Sequence, residues 1–323
     1  DATACHHQQW VRVFWAPEPT MTSVFLPLAL IALLGVVLRQ LIPAMEDNRR
    51  AMNQMVLYVF LPALVFHSIM SVPIDRLFYE IPLVAASGVF VCLAVGFLVF
   101  RFLPIPGPTK GAMILAAAFG NVTYFGLPVL LGTFIGEAAE VTEVAVLYEV
   151  TKSSLNLTVG AMIAIAHGSE EAITFRKTAL EALKLPPVWA LAAAVTWKSS
   201  GLPCPAFVLH TTALLATTVT GIMMLSLGMA LKFKATRLMA LALPVAAIKL
   251  LLSPVVVALA VVPLGVTGIY RDAAILEGAM PSQLLSFIIA GRFKLDEETM
   301  AFVIMADTVL AFVTLPLIHS FLR

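Results

Sequence analysis

Six ionisable or amide side chains fall inside runs that are otherwise strongly apolar: Glu149, Lys152 and Asn156 in one run, and Lys249, Glu277 and Asp307 in three others. With Ser153, the first group sits at i, i+3, i+4 and i+7, the spacing that puts side chains on one face of a helix. That face is polar and the rest of the helix apolar, so it must look into the protein. A charge at the centre of a bilayer costs about 2.5–3.5 kcal/mol even on the lenient insertion scale. Glu149 and Lys152 are therefore expected to neutralise each other or to meet partners across the bundle. The chemistry open to such residues is pairing of charge, hydrogen bonding to a polar solute, or carriage of a proton or sodium ion. Covalent catalysis needs a nucleophile beside a base, or a metal motif, and the chain has no G-x-S-x-G and no H-E-x-x-H; no enzyme is expected. Cys5, Cys92 and Cys204 are far apart and lack metal-ligand spacing, so neither a disulfide framework nor a zinc site is suggested; no metal and no cofactor are expected.

A second pattern lies in the backbone. The stretch "GNVTYFGLPVL", Gly120 to Leu130, puts Gly120, Asn121, Gly126 and Pro128 in the middle of an uncharged run from 111 to 136. The stretch "EGAMPSQ", Glu277 to Gln283, does the same with Gly278 and Pro281. Proline removes a backbone donor and clashes with the preceding turn, and glycine permits conformations that other residues resist. Each run should become two half-helices. Half-helix N-termini offer partial positive charge and unpaired donors, so an anion is favoured there. Asn121, Thr123, Ser282 and Gln283 add side-chain donors and acceptors. The expected substrate site is thus Gly120, Asn121, Thr123, Gly126, Pro128, Pro281, Ser282 and Gln283, with Glu149, Lys152, Asn156, Lys249, Glu277 and Asp307 as a coupling or charge network. Lys249 is expected to neutralise a carboxylate, and Asp307 either to serve coupling or to partner Lys249. His67, five residues after Pro62, fits better as a hydrogen-bonded packing residue than as a titrating one.

The elements that must hold these residues follow from composition. Apolar residues make up 60% of the 323 and charged residues 12%, against about 45–50% and about 25% in soluble proteins, which identifies an integral membrane protein. Spans of about 20 residues are read at 22–42, 51–72, 79–101, 111–136, 143–166, 186–200, 207–231, 238–262, 272–291 and 298–321. Of the 20 Lys and Arg residues, thirteen, running from Arg39 to Lys294, follow odd-numbered spans. Five (Arg12, Arg76, Lys198, Arg271 and Arg323) fall on the other side, and Lys152 and Lys249 lie inside spans. Positive charge marks the cytoplasmic side, so both termini are expected to be extracytoplasmic. The scattered positive charge gives no surface for nucleic acid.

Four units follow: an N-terminal extension at 1–21, expected to be flexible; five spans at 22–166; a cytoplasmic linker at 167–185; and five spans at 186–323. Two sets of five must insert in opposite orientations, the inverted-repeat plan of many secondary transporters. The broken runs are the fourth of each set.

The segments "GNVTYFGLPVL", "YVFLPALVFHSI" (58–69), "AMPSQLLSFIIAGRFKLD" (279–296) and "VLAFVTLPLI" (309–318) together resemble the auxin efflux carrier family. That family includes the plant PIN-FORMED carriers and bacterial carriers of malonate or malate, and the likeness runs from about Met21 to the C-terminus. It implies an all-α fold of ten transmembrane helices in two inverted five-helix repeats. Spans four and nine would cross at their breaks, spans one, two, six and seven would form a scaffold, and the other six a transport domain. It also implies a bacterial inner-membrane protein, a homodimer through the scaffold helices and a small organic anion as partner alongside the lipid bilayer. Plant members carry an Asn-Pro-Pro type crossover, whereas here Asn121 and Pro128 are separated by Val122 to Leu127. That departure tells against auxin itself.

The expected function is secondary transport of a carboxylate or auxin-like acid by elevator-type alternating access. The alternatives are an ion-coupled symporter of another solute class, or a channel or membrane sensor on the same fold. The charge count generates a direct test. Single cysteines placed at Ser169 and Ser199 in Cys-free protein should react with a membrane-impermeant thiol reagent from opposite faces; labelling of both from outside would sink the ten-span arrangement.

Overall fold

The computed structural model describes residues 21–42, 45–72, 76–168, 180, 183–230 and 235–322. The expected N-terminal extension and most of the 167–185 linker lie outside them. The described residues are helical almost throughout. In chain order they form α1 (Met21–Leu41), α2 (45–71), α3 (Leu77–Arg101), α4 (Gly107–Ala118), α5 (122–133), α6 (138–168), α7 (Pro186–Ser199), α8 (Ala206–Ala230), α9 (235–261), α10 (Gly268–Gly278), α11 (Leu284–Arg292) and α12 (Glu297–Leu322). The run read as 111–136 is divided between α4 and α5, and the run read as 272–291 between α10 and α11. Five helical runs among the described residues are long and apolar enough to cross a membrane: Asn48–Ser71, Leu77–Arg101, Ala206–Ala230, Met239–Val261 and Glu297–Leu322. The two divided runs fall short because each is cut near its middle.

Four helices contain a wide π-helical turn: Val56–Phe60 in α2, Val122–Gly126 at the start of α5, Asn156–Gly160 in α6 and Ala247–Leu252 in α9. Three of them are followed, two residues on, by Pro62, Pro128 and Pro254. In a regular α-helix the proline ring strikes the carbonyl four residues back. Those carbonyls belong to Tyr58, Tyr124 and Leu250, each inside a wide turn, so the clash is absorbed by added width and the helix continues. Pro82 and Pro316 sit in plain α-helix, so the wide turns are particular to these positions.

The apolar interior forms two clusters. In α3 the residues Ile81, Val84 and Ala85 join one cluster, and Val89, Cys92 and Leu93 join the other. The same division recurs in α6 between Tyr148 and Leu157 and in α12 between Ile304 and Ala311, and in α9 the two clusters meet over Val245 to Leu250. It falls between α4 and α5, and between α10 and α11, at the two breaks. The residues that separate the clusters are Glu149 to Asn156, Lys249, Asp307 and the break residues themselves. A buried polar layer therefore crosses five helical runs, with apolar packing above and below it.

The remaining helices pack mainly with one another, α1 on α8 and α2 on α7 and α8. Gly35 of α1 and Gly228 of α8 let these two backbones touch. A Cβ added at Gly228 would lie 2.7 Å from the carbonyl carbon of Ala32, and one at Gly35 would lie 3.0 Å from the Met229 nitrogen. Small residues permit such close approach where lipid supplies no hydrophobic driving force between helices. Gly228→Ala should thus lower the thermal midpoint in detergent, with overpacking costing about 1–3 kcal/mol. Gly221→Ala on the same helix meets nothing within 4 Å and should leave the midpoint within error of wild type; equal effects would contradict the α1–α8 contact.

Candidate functional site

The two breaks pair with each other. Residues Phe119–Asn121 and Met280–Gln283 leave the helical conformation, and Gly120 and Ser282 face each other as an antiparallel bridge. The Asn121 N–H donates to the Pro281 carbonyl at 2.7 Å, and the Gln283 N–H donates to the Phe119 carbonyl at 2.9 Å. An interrupted helix leaves backbone donors and acceptors without partners, and in an apolar interior each costs several kcal/mol. Here each break supplies what the other lacks. Pro281 has no N–H to offer, but its carbonyl is the acceptor that Asn121 needs. Ser282 adds a side-chain contact, its hydroxyl 2.8 Å from the carbonyl of Ala116 in the last turn of α4.

The polar face of α6 lies against the start of α11. Asn156 donates from Nδ2 to Gln283 Oε1 at 3.0 Å and to Ser286 Oγ at 2.8 Å. Gln283 donates from Nε2 to Ser153 Oγ at 3.1 Å and Glu149 Oε1 at 3.4 Å, while Ser153 hydrogen-bonds Glu149. Of the face read from sequence, Asn156, Ser153 and Glu149 thus meet Gln283, the residue that precedes α11.

Two lysines converge from opposite sides. Lys152 Nζ donates to the Glu277 backbone carbonyl at 3.0 Å, and Lys249 Nζ donates to the Gly278 carbonyl at 2.7 Å and to Ser253 Oγ at 3.2 Å. Both carbonyls end α10, where the helix presents partial negative charge and unpaired acceptors. The same two ammonium groups flank Gly120: a Cβ there would lie 3.0 Å from Lys249 Nζ and 3.1 Å from Lys152 Nζ. Lys249, Glu277, Ser282 and Asp307 are all fully buried. Glu277 turns its carboxyl group toward the wide turn of α5, where a Cβ at Gly126 would lie 2.7 Å from its Cδ. Among the described residues neither carboxyl oxygen of Glu277 has a hydrogen-bond partner. Asp307 contacts Ser282 Oγ through Oδ2 at 2.5 Å, and its Oδ1 has no partner among the described residues.

Placed against the sequence expectations, Gly120, Asn121, Pro281, Ser282 and Gln283 form the paired breaks, and Asn156, Glu149, Lys152, Lys249, Glu277 and Asp307 all reach the same layer. Pro128 and Gly126 do not form the break. Pro128 is the second residue of the helical segment Leu127–Thr133, behind the wide turn that absorbs its ring, and the break lies seven or more residues earlier in sequence. The glycines serve differently as well. None of Gly120, Gly126 and Gly278 has a positive φ; Gly120 and Gly126 make room for the lysines and Glu277, and Gly278 packs on Val257 and Pro254. The side chain of Thr123 lies outside the described residues. Lys249 and Asp307 attract each other through their charges, while the hydrogen bonds of Lys249 go to Ser253 and Gly278. His67 stands apart on α2, 3.5 Å from Thr212. Ser253 and Ser286 escaped the sequence reading; the signals were their places one turn beyond Lys249 and Gln283.

Interrupted helices that meet in a buried polar layer are an arrangement that many secondary transporters use at their binding sites. The chain belongs to the membrane transport protein family, that of the auxin efflux carriers, whose family model matches residues 20–319. It is similar to an uncharacterized transporter of Methanothermobacter thermautotrophicus, 26% identical over 307 residues that cover 92% of this chain and 96% of the relative. It is also similar to the uncharacterized transporter YfdV of Escherichia coli, 26% identical over 298 residues, covering 90% of this chain and 94% of the relative. With its apolar helices, the chain is a helical integral membrane transporter.

The approach of Glu277 to Gly126 is open to a double-mutant test. Gly126→Ala should destabilise by about 1–3 kcal/mol through overpacking, and in a Glu277→Ala background, which vacates that space, it should cost less. Thermal or denaturant unfolding of the two single variants and the double variant should show a coupling of about 0.5–3 kcal/mol; strict additivity would refute the contact.

Proposed function

We propose that this chain is a secondary carrier of a small organic anion, a carboxylate or auxin-like acid, that works by alternating access at the paired breaks. The convergence of Lys152 and Lys249 on Gly120 carries this reading. Two ammonium groups beside a break provide charge for a carboxylate at the one level where the backbone of both interrupted helices can part. Their present acceptors are the carbonyls that end α10, and a carboxylate is a stronger acceptor than a carbonyl. The exchange of one for the other gives the anion differential affinity for an opened state, which is what a ligand needs in order to shift a conformational equilibrium. Asn121 and Gln283, which can both donate and accept, would complete the contacts.

On this reading the helical runs form ten spans in two inverted repeats, with both termini extracytoplasmic in a bacterial inner membrane. The group α1, α2, α7 and α8 acts as the scaffold, through which a homodimer would form. The other helices move as the transport domain in an elevator-type cycle. Support for the division comes from the packing of α1 on α8 and of α2 on α7, and from the polar layer, which runs through the second group. The complete burial of Lys249, Glu277, Ser282 and Asp307 favours a carrier over a channel, which needs a continuous water path. No cofactor is required, and coupling to a proton or sodium ion is compatible with the buried carboxyl groups.

The test is uptake into proteoliposomes, screening mono- and dicarboxylates with and without proton and sodium gradients. Saturable uptake of at least one anion is expected. Lys249→Met and Lys152→Met should each lose roughly tenfold or more in affinity, since a hydrogen bond to a charged group contributes about 1.5–3 kcal/mol, and Asn121→Ala should lose about 1–3 kcal/mol of binding. Normal folding with unchanged affinity in both lysine variants would place the anion elsewhere, and the absence of any saturable anion flux would overturn the assignment.

A further inference from the structure

The Ser282 hydroxyl lies 2.8 Å from the Ala116 carbonyl oxygen and 2.5 Å from Asp307 Oδ2. A hydroxyl has one hydrogen to donate. Its two neighbours are a carbonyl and a carboxyl oxygen, and one of these contacts must be bridged by a hydrogen that Ser282 does not supply. Carbonyls in the last turn of a helix have no following helical N–H, so Ala116 needs the Ser282 hydrogen, and a carbonyl has none to give in return. With the Ser282 hydrogen on Ala116, the contact to Asp307 is closed by a hydrogen only if Asp307 carries one. The rest of the Asp307 environment agrees. The residue is fully buried, and Oδ1 has no partner among the described residues. An ionised carboxylate left half bare in an apolar interior is far costlier than a neutral acid.

Lys249 on α9 is the nearby cation and attracts the ionised form of Asp307, but its hydrogen bonds go to Ser253 and Gly278. Glu277 on α10 faces Gly126 of α5, and Arg271 at the other end of α10 pairs with Asp272. Lys110 opens α4, Arg292 ends α11 and His210 lies in the first turn and a half of α8. Of Arg237 on α9, the side chain lies outside the described residues.

We propose that Asp307 is a proton-binding site of the transport cycle. It holds a proton while the two breaks are paired, donating it to Ser282, and gives it up to water when they part. Ser282 keeps its own hydrogen throughout; the bond broken is the O–H of the Asp307 acid, and the proton goes to the aqueous phase on the open side. Pairing the breaks again takes a proton from that phase. Acid therefore favours the paired state, and rising pH favours the parted one. The consequence for transport, that a proton moves in step with the anion, rests on the carrier reading above; the proton site itself does not.

Infrared difference spectra of the purified full-length protein, acid minus alkaline, in H2O and D2O, test this without any substrate. A carboxylic-acid C=O band that shifts in D2O is expected. It should be lost in Asp307→Asn, retained in Glu277→Gln, and moved to higher frequency in Ser282→Ala, where the acid keeps its proton but loses the acceptor. If Asp307→Asn does not fold, the other two variants decide: a band that moves in Ser282→Ala and persists in Glu277→Gln supports the site. A band that vanishes in Glu277→Gln, one unmoved in Ser282→Ala, or no acid band at all overturns it. Those failures leave anion uptake untouched, whereas a protein with the band but no anion flux fails only as an anion carrier.

Discussion

Everything distinctive in this bundle depends on one constraint: two helices are cut in an apolar interior, and neither cut can satisfy its own backbone. Asn121 N–H and Pro281 C=O, and Gln283 N–H and Phe119 C=O, solve the problem jointly. Two hydrogen bonds are few for a junction that holds four half-helices. Each is modest in net contribution, about 0.5–1.5 kcal/mol, yet leaving its groups buried and unmade costs more. The junction is therefore stable when closed and can open only if something else meets those groups. Water, a polar solute or a rearranged backbone would each do so. A static kink accommodated by neighbouring side chains would have no such dependence.

The charges follow the same logic. Lys152 and Lys249 do not rely on carboxylates alone; they are held by carbonyls that the end of α10 leaves over. Asp307 is held by a serine whose neighbour is a carbonyl left over from the end of α4. Fully paired buried charges would lock the layer, because breaking such a pair by removing one partner costs about 3–5 kcal/mol. Charges satisfied by the ends of interrupted helices are tied to the integrity of the break. Moving one break relative to the other would change the solvation of each of them at once, so these charges depend on the junction and not on independent sites.

Around this layer the molecule separates firm contacts from adjustable ones. Gly35 and Gly228 bring α1 and α8 into backbone contact, and Ser226 of α8 donates to Asn53 of α2, so these helices form one tightly joined body. Its polar ties to the helices of the layer are different in kind: Arg49 of α2 pairs with Glu297 of α12, and Arg292 of α11 reaches Tyr58 of α2 at 3.4 Å. These contacts are side chain to side chain and lie near the ends of α11 and α12. They involve side chains only, unlike the backbone contact of α1 on α8.

Local physics made much of this legible in the sequence. Apolar run lengths located most of the helices, because the cost of exposing apolar surface and of leaving backbone groups unpaired acts on each segment alone. The spacing of Glu149, Lys152, Ser153 and Asn156 identified a polar face for the same reason. The paired interruptions near Gly120 and Pro281 were also visible, since glycine and proline act on their own turns. Tertiary structure decided the rest. Pro128 reads as a helix breaker, but a wide turn at Val122–Gly126 absorbs it, and the break moves to Phe119–Asn121, where a partner strand is available. Gly120 and Gly126 read as conformational hinges, but what they provide is room for Lys152, Lys249 and Glu277, groups distant in sequence. Lys249 and Asp307 read as natural partners by charge, yet Lys249 hydrogen-bonds the end of α10 and Asp307 hydrogen-bonds Ser282 in the break. In all three cases the outcome depends on groups brought together from far along the chain, and no local property of a segment records which acceptor will be nearest once the chain has folded.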